Sequence, residues 1–197
     1  MKTINLLLLF FYAVLPGCKP TSKTPTNTQQ GYFLQDTSKP NIIALNPGAI
    51  EELPYDAGSV KVLASSEDTK GSFSLFELKE MPGYKTAWHR HNHFDESFYV
   101  MEGVLTVKIN DKVGTYPPGS YILIPRGTPH GQANFGTVPT RVLLTFRPSA
   151  YEQFFRDRIE LFKTVKPGSA EFTDKFNELR RKHAKYVEIL GTWDIEK

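Results

Sequence analysis

The sequence predicts a mainly β domain, a barrel or a sandwich, followed by two α-helices. Short strand-like runs fill residues 59–147, and turn residues separate them at the spacing of antiparallel β folds. After Pro148 the pattern changes, and apolar residues recur at three- and four-residue steps. A chain of 197 residues suits one such domain with appendages.

The predicted strands are short apolar or alternating segments. They are 60–64, 73–78, 97–101, 104–109, 121–124 and 142–146. Turn signals such as Pro117-Pro118-Gly119 and Arg126-Gly127 lie between them, because glycine and proline favour the backbone angles that turns require. The folded part is expected to begin near residue 31, which makes residues 31–147 the β domain and residues 148–197 a helical extension.

The two predicted helices span residues 149–163 and 169–190. Ser149 and Glu152 have the spacing of a capping box, Pro167-Gly168 separates the helices, and Gly191 suits a C-terminal stop. The apolar positions that need a surface to cover are Phe154, Phe155, Ile159, Phe162, Phe172, Phe176, Leu179 and Leu190. Three roles stay open for these helices: a buttress on the barrel, a lid over its mouth, or a dimer interface.

The first thirty residues are expected to be a targeting segment and a tether. Lys2 precedes an apolar stretch from Ile4 to Leu15, which is too short to span a bilayer and is typical of a signal peptide. The segment Leu15-Pro16-Gly17-Cys18 resembles a bacterial lipobox, which implies cleavage after residue 17 and acylation of Cys18. Residues 18–30 then form a flexible polar tether. The alternatives are a plain secretory signal or an uncleaved anchor.

Charge and cysteine content exclude several classes of protein. The formal charge of +3, from 24 basic and 21 acidic side chains, is too small for a nucleic-acid-binding surface. We therefore expect no nucleic-acid partner. Contact with a membrane is expected only through the lipid anchor. The protein would then lie at the bacterial cell envelope, either in the periplasm or associated with the outer membrane. Cys18 is the single cysteine, so the chain forms no intrachain disulfide.

Four of the five histidines lie between positions 89 and 130. His89 and His91 are two residues apart, so on a strand both side chains project from one face. Glu96 and His130 follow, and a sheet that closes into a barrel can bring all four groups to one interior point. Three imidazoles and a carboxylate suit a divalent transition metal (Fe, Mn, Ni, Cu, Co or Zn) rather than Ca²⁺. Glu96 is also a candidate acid or base.

Two spaced motifs contain these residues. The first has fixed positions at Gly83, His89, His91, Glu96 and Gly103, and the second has them at Gly119, Pro125, Gly127, His130 and Asn134. This pattern resembles the two motifs of the cupin superfamily, with every fixed position filled. The resemblance implies a double-stranded β-helix, or jelly-roll barrel, with the metal held by His89, His91, Glu96 and His130.

Strand parity gives further predictions about the site. Lys85, Phe98 and Gln132 share the parity of the ligands and are candidates for the pocket, although Phe98 also suits the core. Asn134 either lines the barrel or braces the site. His93 falls in a turn and is expected to support the ligands or to be exposed, with a proton-transfer role as the alternative. Trp88 and Tyr99 have the opposite parity and should face outward.

The resemblance covers residues 59–147 and continues more weakly through residues 148–155, which look like cupins similar to quercetin dioxygenase. It implies a dioxygenase-like oxidoreductase that acts on a small aromatic or enolic compound. Two other readings remain: a non-catalytic ligand-binding or sensor cupin tethered at the envelope, and a metal-dependent isomerase of a sugar or keto acid. A small-molecule ligand is expected in each, and a homodimer is compatible with all three.

Overall fold

A computed structural model of the chain describes residues 42–194. The predicted signal segment, Cys18, the tether and the expected start of the domain at residue 31 lie outside the described residues. Within residues 42–194, no helix is both long and apolar enough to cross a membrane.

The described residues form eleven strands and two helices. The strands are β1 (Leu53–Tyr55), β2 (Gly58–Ala64), β3 (Ser74–Glu80), β4 (Trp88–His91), β5 (Asp95–Glu102), β6 (Leu105–Ile109), β7 (Lys112–Tyr116), β8 (Tyr121–Ile124), β9 (His130–Ala133), β10 (Thr140–Arg147) and β11 (Val187–Gly191). The helices are α1 (Glu152–Thr164) and α2 (Ala170–Lys182). The prediction of a mainly β domain followed by two helices is confirmed.

The strands make two antiparallel sheets. One sheet has the order β1-β2-β3-β10-β5-β8, and the other has the order β11-β4-β9-β6-β7. Sequence neighbours such as β4 and β5 lie in different sheets, which is the connectivity of a double-stranded β-helix. The two sheets share one hydrophobic core, so the chain closes a jelly-roll barrel.

Alternation along the strands decides which residues enter the core. In β3 every second residue is buried, including Phe76 and Leu78, and β10 repeats the pattern with Val142 and Leu144. These strands pair with Leu78 opposite Val142 and Phe76 opposite Leu144, so one face of the sheet is continuously apolar. Tyr99 has the opposite parity and is 45% exposed, as predicted.

Glycines let the chain turn tightly at the motif positions. Gly103 has a φ of +72°, and a Cβ there would lie 2.5 Å from the carbonyl oxygen of Pro139. Gly127 has a φ of +81° in the turn before β9, and its N–H donates to the carbonyl oxygen of His91 at 2.6 Å. A side chain at either position would strain the turn that sets the direction of the next strand.

The second predicted helix is too long. The helix α2 ends at Lys182, and Val187–Gly191 is not its last turn but the strand β11, which pairs with β4. Strand β4 would otherwise have an unpaired edge, and the segment around Ile189 satisfies those backbone groups. Gly191 is therefore the last residue of strand β11 and not a helix stop.

The predicted capping box at the start of α1 is wrong. Tyr151 precedes the helix and its side chain makes no capping hydrogen bond. The Ser149 hydroxyl bonds instead to the Ser66 hydroxyl at 2.7 Å, and the Glu152 carboxylate accepts from the Ser66 N–H. Both side chains tie the helix to the β2–β3 loop. Helix α2 does have a cap, because Ser169 accepts from the N–H of Phe172 at 3.1 Å.

Both helices pack against the barrel. Phe154, Phe155 and Ile159 of α1 belong to the same hydrophobic core as the sheets, and Phe155 stacks on Phe76 with ring centroids 4.8 Å apart. Leu179 of α2 joins the same cluster. The helices therefore cover the open side of the barrel and complete its core.

Candidate metal centre

The four predicted ligands come from both sheets. His89 and His91 lie on β4, His130 lies directly opposite His89 on β9, and Glu96 lies on β5 of the other sheet. All four are buried, and their donor atoms lie within 4.8 Å of one another. The barrel thus brings together residues separated by up to 41 positions, as the sequence predicted.

The tautomers of two histidines are set by backbone carbonyls. The Nδ1–H of His89 donates to Ala87 at 2.7 Å, and the Nδ1–H of His130 donates to Thr128 at 2.8 Å. In a neutral ring, the Nε2 atom then has a free lone pair that points inward. The Nδ1 of His91 has no hydrogen-bond partner among the described residues.

The donor atoms face one another at short distances. The Nε2 of His89 lies 3.2 Å from the Nε2 of His91, which lies 3.1 Å from Oε2 of Glu96. The Nε2 of His130 lies 2.7 Å from the same oxygen. Lone pairs this close repel unless a positive charge lies between them. Ligand atoms about 2.1 Å from one ion are at most roughly 4.2 Å apart, so these three contacts are compatible with a single metal ion.

Burial and mutual interactions keep three of the candidate ligands, His89, His91 and Glu96, in the protonation states that metals require. Burial lowers the pKa of His89 to about 3, assisted by the neighbouring His130 and His91 rings. Burial also lowers the pKa of His91. For Glu96, burial alone would raise the pKa, but His91 and His130 more than offset it and hold the pKa well below its usual range. Neutral rings at His89 and His91 and an ionised carboxylate at Glu96 result.

A cavity of about 280 Å³ opens onto three of the four ligands, His89, His91 and Glu96, whereas His130 is fully buried behind them. Its aromatic lining residues are Tyr55, Tyr84, Phe146, Tyr151, Phe154, Phe155 and Phe176. Its further polar lining residues are Lys85, Thr86, Gln132, Arg158, Arg180 and His183. Five of these thirteen side chains belong to α1 and α2, so the extension forms part of the cavity wall.

The predicted pocket residues separate into two groups. Lys85 and Gln132 line the cavity, and the Gln132 amide donates to Oε1 of Glu80 at 2.8 Å. Phe98 is fully buried in the core between the sheets and does not line the cavity. Asn134 also lies outside the cavity lining and braces a loop, because its amide donates to the carbonyls of Glu80 and Val138, each at 2.9 Å.

His93 is exposed, which is one of the two positions expected for it, and Trp88 and His183 are more buried. His93 is exposed in the β4–β5 turn, where its carbonyl accepts from Arg126 at 3.4 Å. Trp88 is half-buried, with the Lys108 ammonium 4.8 Å from its ring centroid. The fifth histidine, His183, is buried and pairs with Asp157 at 2.8 Å.

Sequence reasoning missed the cavity residues of the helical extension, including Tyr151 just before α1, Arg158 on α1 and Arg180 on α2. Their apolar stripe was recognisable, but strand parity carries no information about which helix positions face the barrel mouth. Tyr151 packs 5.8 Å from the His91 ring, and this contact places the start of α1 beside the ligands.

The family model of the Cupin domain matches residues 76–146. This match supports the cupin superfamily. The matched segment contains all four candidate ligands and ends before α1. Neither helix lies in the part of the chain that the family model describes.

Curated relatives are similar over part of their length. The chain is 25% identical over 96 residues to Quercetin 2,3-dioxygenase of Bacillus subtilis, covering 49% of this chain and 28% of that protein. It is 30% identical over 96 residues to the Tetracenomycin polyketide synthase protein TcmJ of Streptomyces glaucescens, covering 47% and 63%. The chain thus spans less than two thirds of these relatives.

Solved structures with similarity to the chain include the polyketide cyclase RemF from Streptomyces resistomycificus. The two share 23% sequence identity with a TM-score of 0.48, and the similarity covers 55% of this chain and 80% of that one.

Proposed function

We propose that the chain is a metal-dependent, dioxygenase-like oxidoreductase that acts on a small planar aromatic or enolic compound. The observation that carries the proposal is that two imidazoles and one carboxylate of the candidate ligand set open onto a cavity that seven aromatic side chains also line. The similarity to Quercetin 2,3-dioxygenase supports this class of reaction. A redox-capable metal held by His89, His91, Glu96 and His130 would supply the electron chemistry that O₂ requires.

The aromatic wall supports a planar substrate. Tyr151 stacks on Phe154 with ring centroids 4.6 Å apart, and Phe146 lies 5.8 Å from Tyr151 in an edge-on arrangement. A flat ring inserted among such faces gains offset-stacked and edge contacts. The same side chains exclude water, which strengthens electrostatic interactions at the ligands.

Polar groups on the wall give the cavity hydrogen-bonding positions for hydroxyl or keto groups. Burial raises the pKa of the Tyr84 phenol well above its ordinary value, so Tyr84 stays protonated and can donate. The Gln132 side chain is oriented by its hydrogen bond to Glu80. Glu96 is ionised, so any proton-transfer role for it at neutral pH begins with acceptance of a proton.

The test is metal analysis of natively purified protein followed by an oxygen-uptake screen with catechols, flavonols and enols. We expect bound Fe, Mn, Ni, Cu or Co and substrate-dependent uptake that His91→Ala abolishes and His93→Ala retains, since His93 is exposed and outside the ligand set. Bound Zn²⁺ without oxygen uptake would favour the isomerase or the non-catalytic binding module instead.

We also propose that acylated Cys18 holds the domain at a bacterial cell envelope. The apolar segment before Cys18 and the polar tether after it support this location. A labelled fatty acid should be incorporated into the wild-type chain but not into Cys18→Ala, and the variant should leave the membrane fraction or accumulate as a precursor. Absence of label in the wild type would contradict the proposal.

A further inference from the structure

Three basic side chains line the cavity together with the ligands. Lys85 precedes β4, Arg158 lies on α1 and Arg180 lies on α2. Glu96 is the acidic residue among the described lining residues, and it belongs to the ligand set. A metal ion would add further positive charge, so the cavity favours a ligand with negative charge.

Two of these three cations are compensated by acidic partners. The Lys85 ammonium lies 3.6 Å from Asp194 and donates to the carbonyl oxygen of Trp193 at 3.0 Å. Arg158 pairs with Asp56. Arg180 makes no hydrogen bond or ion pair with any residue between 42 and 194. It is therefore the uncompensated positive charge at the cavity.

The guanidinium of Arg158 is held in a fixed position. It lies over the Tyr55 ring at 4.5 Å and the Phe176 ring at 5.0 Å, and its Nη1 donates to the Tyr55 hydroxyl at 3.1 Å. Its Nε–H is buried and has no acceptor among the described residues. A rigid planar donor group with an unsatisfied N–H suits a planar acceptor such as a carboxylate.

We propose that Arg158 and Arg180 form an anion subsite that receives the carboxylate of a small planar acid bound in the cavity. This inference rests on the proposed function and narrows its substrate class to aromatic or enolic acids. Both arginines belong to the helical extension, and neither lies in the segment that matches the Cupin domain. The barrel supplies the metal ligands, and the extension selects the charge of the substrate.

The experiment compares two probes that differ in charge. 3,4-Dihydroxybenzoate carries a carboxylate, and 3,4-dihydroxybenzamide is its neutral counterpart with the same catechol. Binding to the full chain loaded with Zn²⁺, which prevents turnover, is measured by calorimetry. We expect the acid to bind about tenfold more tightly than the amide, since charge-assisted hydrogen bonds are roughly twice as strong as neutral ones.

Two arginine variants isolate the subsite. Arg180→Gln should remove most of the preference for the acid, whereas Arg181→Gln should retain it, because Arg181 is also exposed on α2 but does not line the cavity. Arg158→Lys keeps the charge beside Asp56 but loses the planar donor group, so we expect an intermediate loss of the preference for the acid over the amide. If Arg158→Lys fails to fold, the comparison of Arg180→Gln with Arg181→Gln decides alone.

The outcomes separate this inference from the proposed function. Equal binding of acid and amide, or equal effects of Arg180→Gln and Arg181→Gln, would overturn the anion subsite. The proposed function would survive that result if His91→Ala still weakens binding of the amide. If neither probe binds the wild-type chain, the anion subsite and the proposed aromatic substrate class both fail.

Discussion

The barrel and the helical extension contribute different things to one cavity. The barrel strands hold the candidate metal ligands at fixed positions between two sheets, and the matched Cupin domain ends within these strands. The helices supply large aromatic side chains and two arginines to the same cavity. Our proposals accordingly assign the chemistry to the barrel and the selection of the ligand to the extension.

Truncation after Arg147 tests how far the barrel depends on the extension. Phe154, Phe155 and Ile159 are each at most 6% exposed and would leave the core. Loss of one such side chain costs about 2–5 kcal/mol, against a total stability of roughly 5–15 kcal/mol, so the truncated barrel should unfold or aggregate. Thermal denaturation and light scattering check this.

The same truncation distinguishes the three roles that the sequence left open. A truncated chain that keeps its fold and metal but admits larger probes to the cavity would indicate that the helices act only as a lid. A stable chain that changes only from dimer to monomer would make them an interface. The structure predicts neither result, because the helices complete the core and line the cavity at once.

Single ligand changes should affect metal binding without a comparable loss of fold. His89→Ala, His91→Ala and His130→Ala should each weaken metal affinity by more than about 100-fold, because even partners outside the ligand set change it 10–100-fold. Elemental analysis of the purified variants measures the effect, with exposed His93→Ala as the matched control. Near-stoichiometric metal in all three variants would eliminate the site.

Glu80 gives the barrel a pH dependence in the range between pH 4.5 and 8. Burial raises the pKa of Glu80 to about 8. The unfolded chain loses this proton near pH 4.5, whereas the folded chain keeps it to about pH 8, so stability should fall as pH rises between these values. The loss is on the order of 5 kcal/mol, at about 1.4 kcal/mol for each pH unit.

Glu80→Gln removes that titration and keeps an acceptor for the Gln132 amide. Chemical denaturation between pH 4.5 and 8 should give a flatter stability profile for this variant than for the wild type. The exposed acidic residue Glu102, changed to Gln, is the control and should leave the slope as it is. Parallel profiles for wild type and Glu80→Gln would show that the buried carboxyl does not hold its proton.

Gly131→Ala should produce the smallest effect, at the contact between the barrel and the end of the chain. A Cβ at residue 131 would lie 2.3 Å from Nε1 of Trp193, which donates to the Thr86 carbonyl at 3.0 Å. Displacing the indole should cost about 1–3 kcal/mol and shift its fluorescence to longer wavelength. In a chain that already carries Trp193→Ala, Gly131→Ala should no longer lower the free energy of unfolding by this amount. If the effects of the two changes on that free energy simply add, the contact is contradicted.

The sequence predicted the barrel better than the extension for a physical reason. Burial alternates along a strand, so Phe76, Leu78 and the ligands could be assigned to the inner face from their parity alone. The glycines and histidines of the two motifs have fixed spacing along the chain. The candidate ligands could therefore be named before their geometry was known.

The extension depends on contacts that no local pattern contains. The run at Val187–Gly191 suits either a helix face or a strand, and the free edge of β4 decides between them. Ser149 and Glu152 fit a capping box, but Ser66 lies close enough to bind both side chains. The cavity-facing position of Arg158 follows from the packing of Phe155 on Phe76, which only the folded chain defines.

Anomalous diffraction from crystals of the natively purified chain, collected at the absorption edges of the first-row metals, tests the central claim most directly. The account predicts one strong peak bounded by the Nε2 atoms of His89, His91 and His130 and by Oε2 of Glu96. No peak at that position after metal loading, or a stoichiometric metal bound elsewhere in the chain, would contradict it.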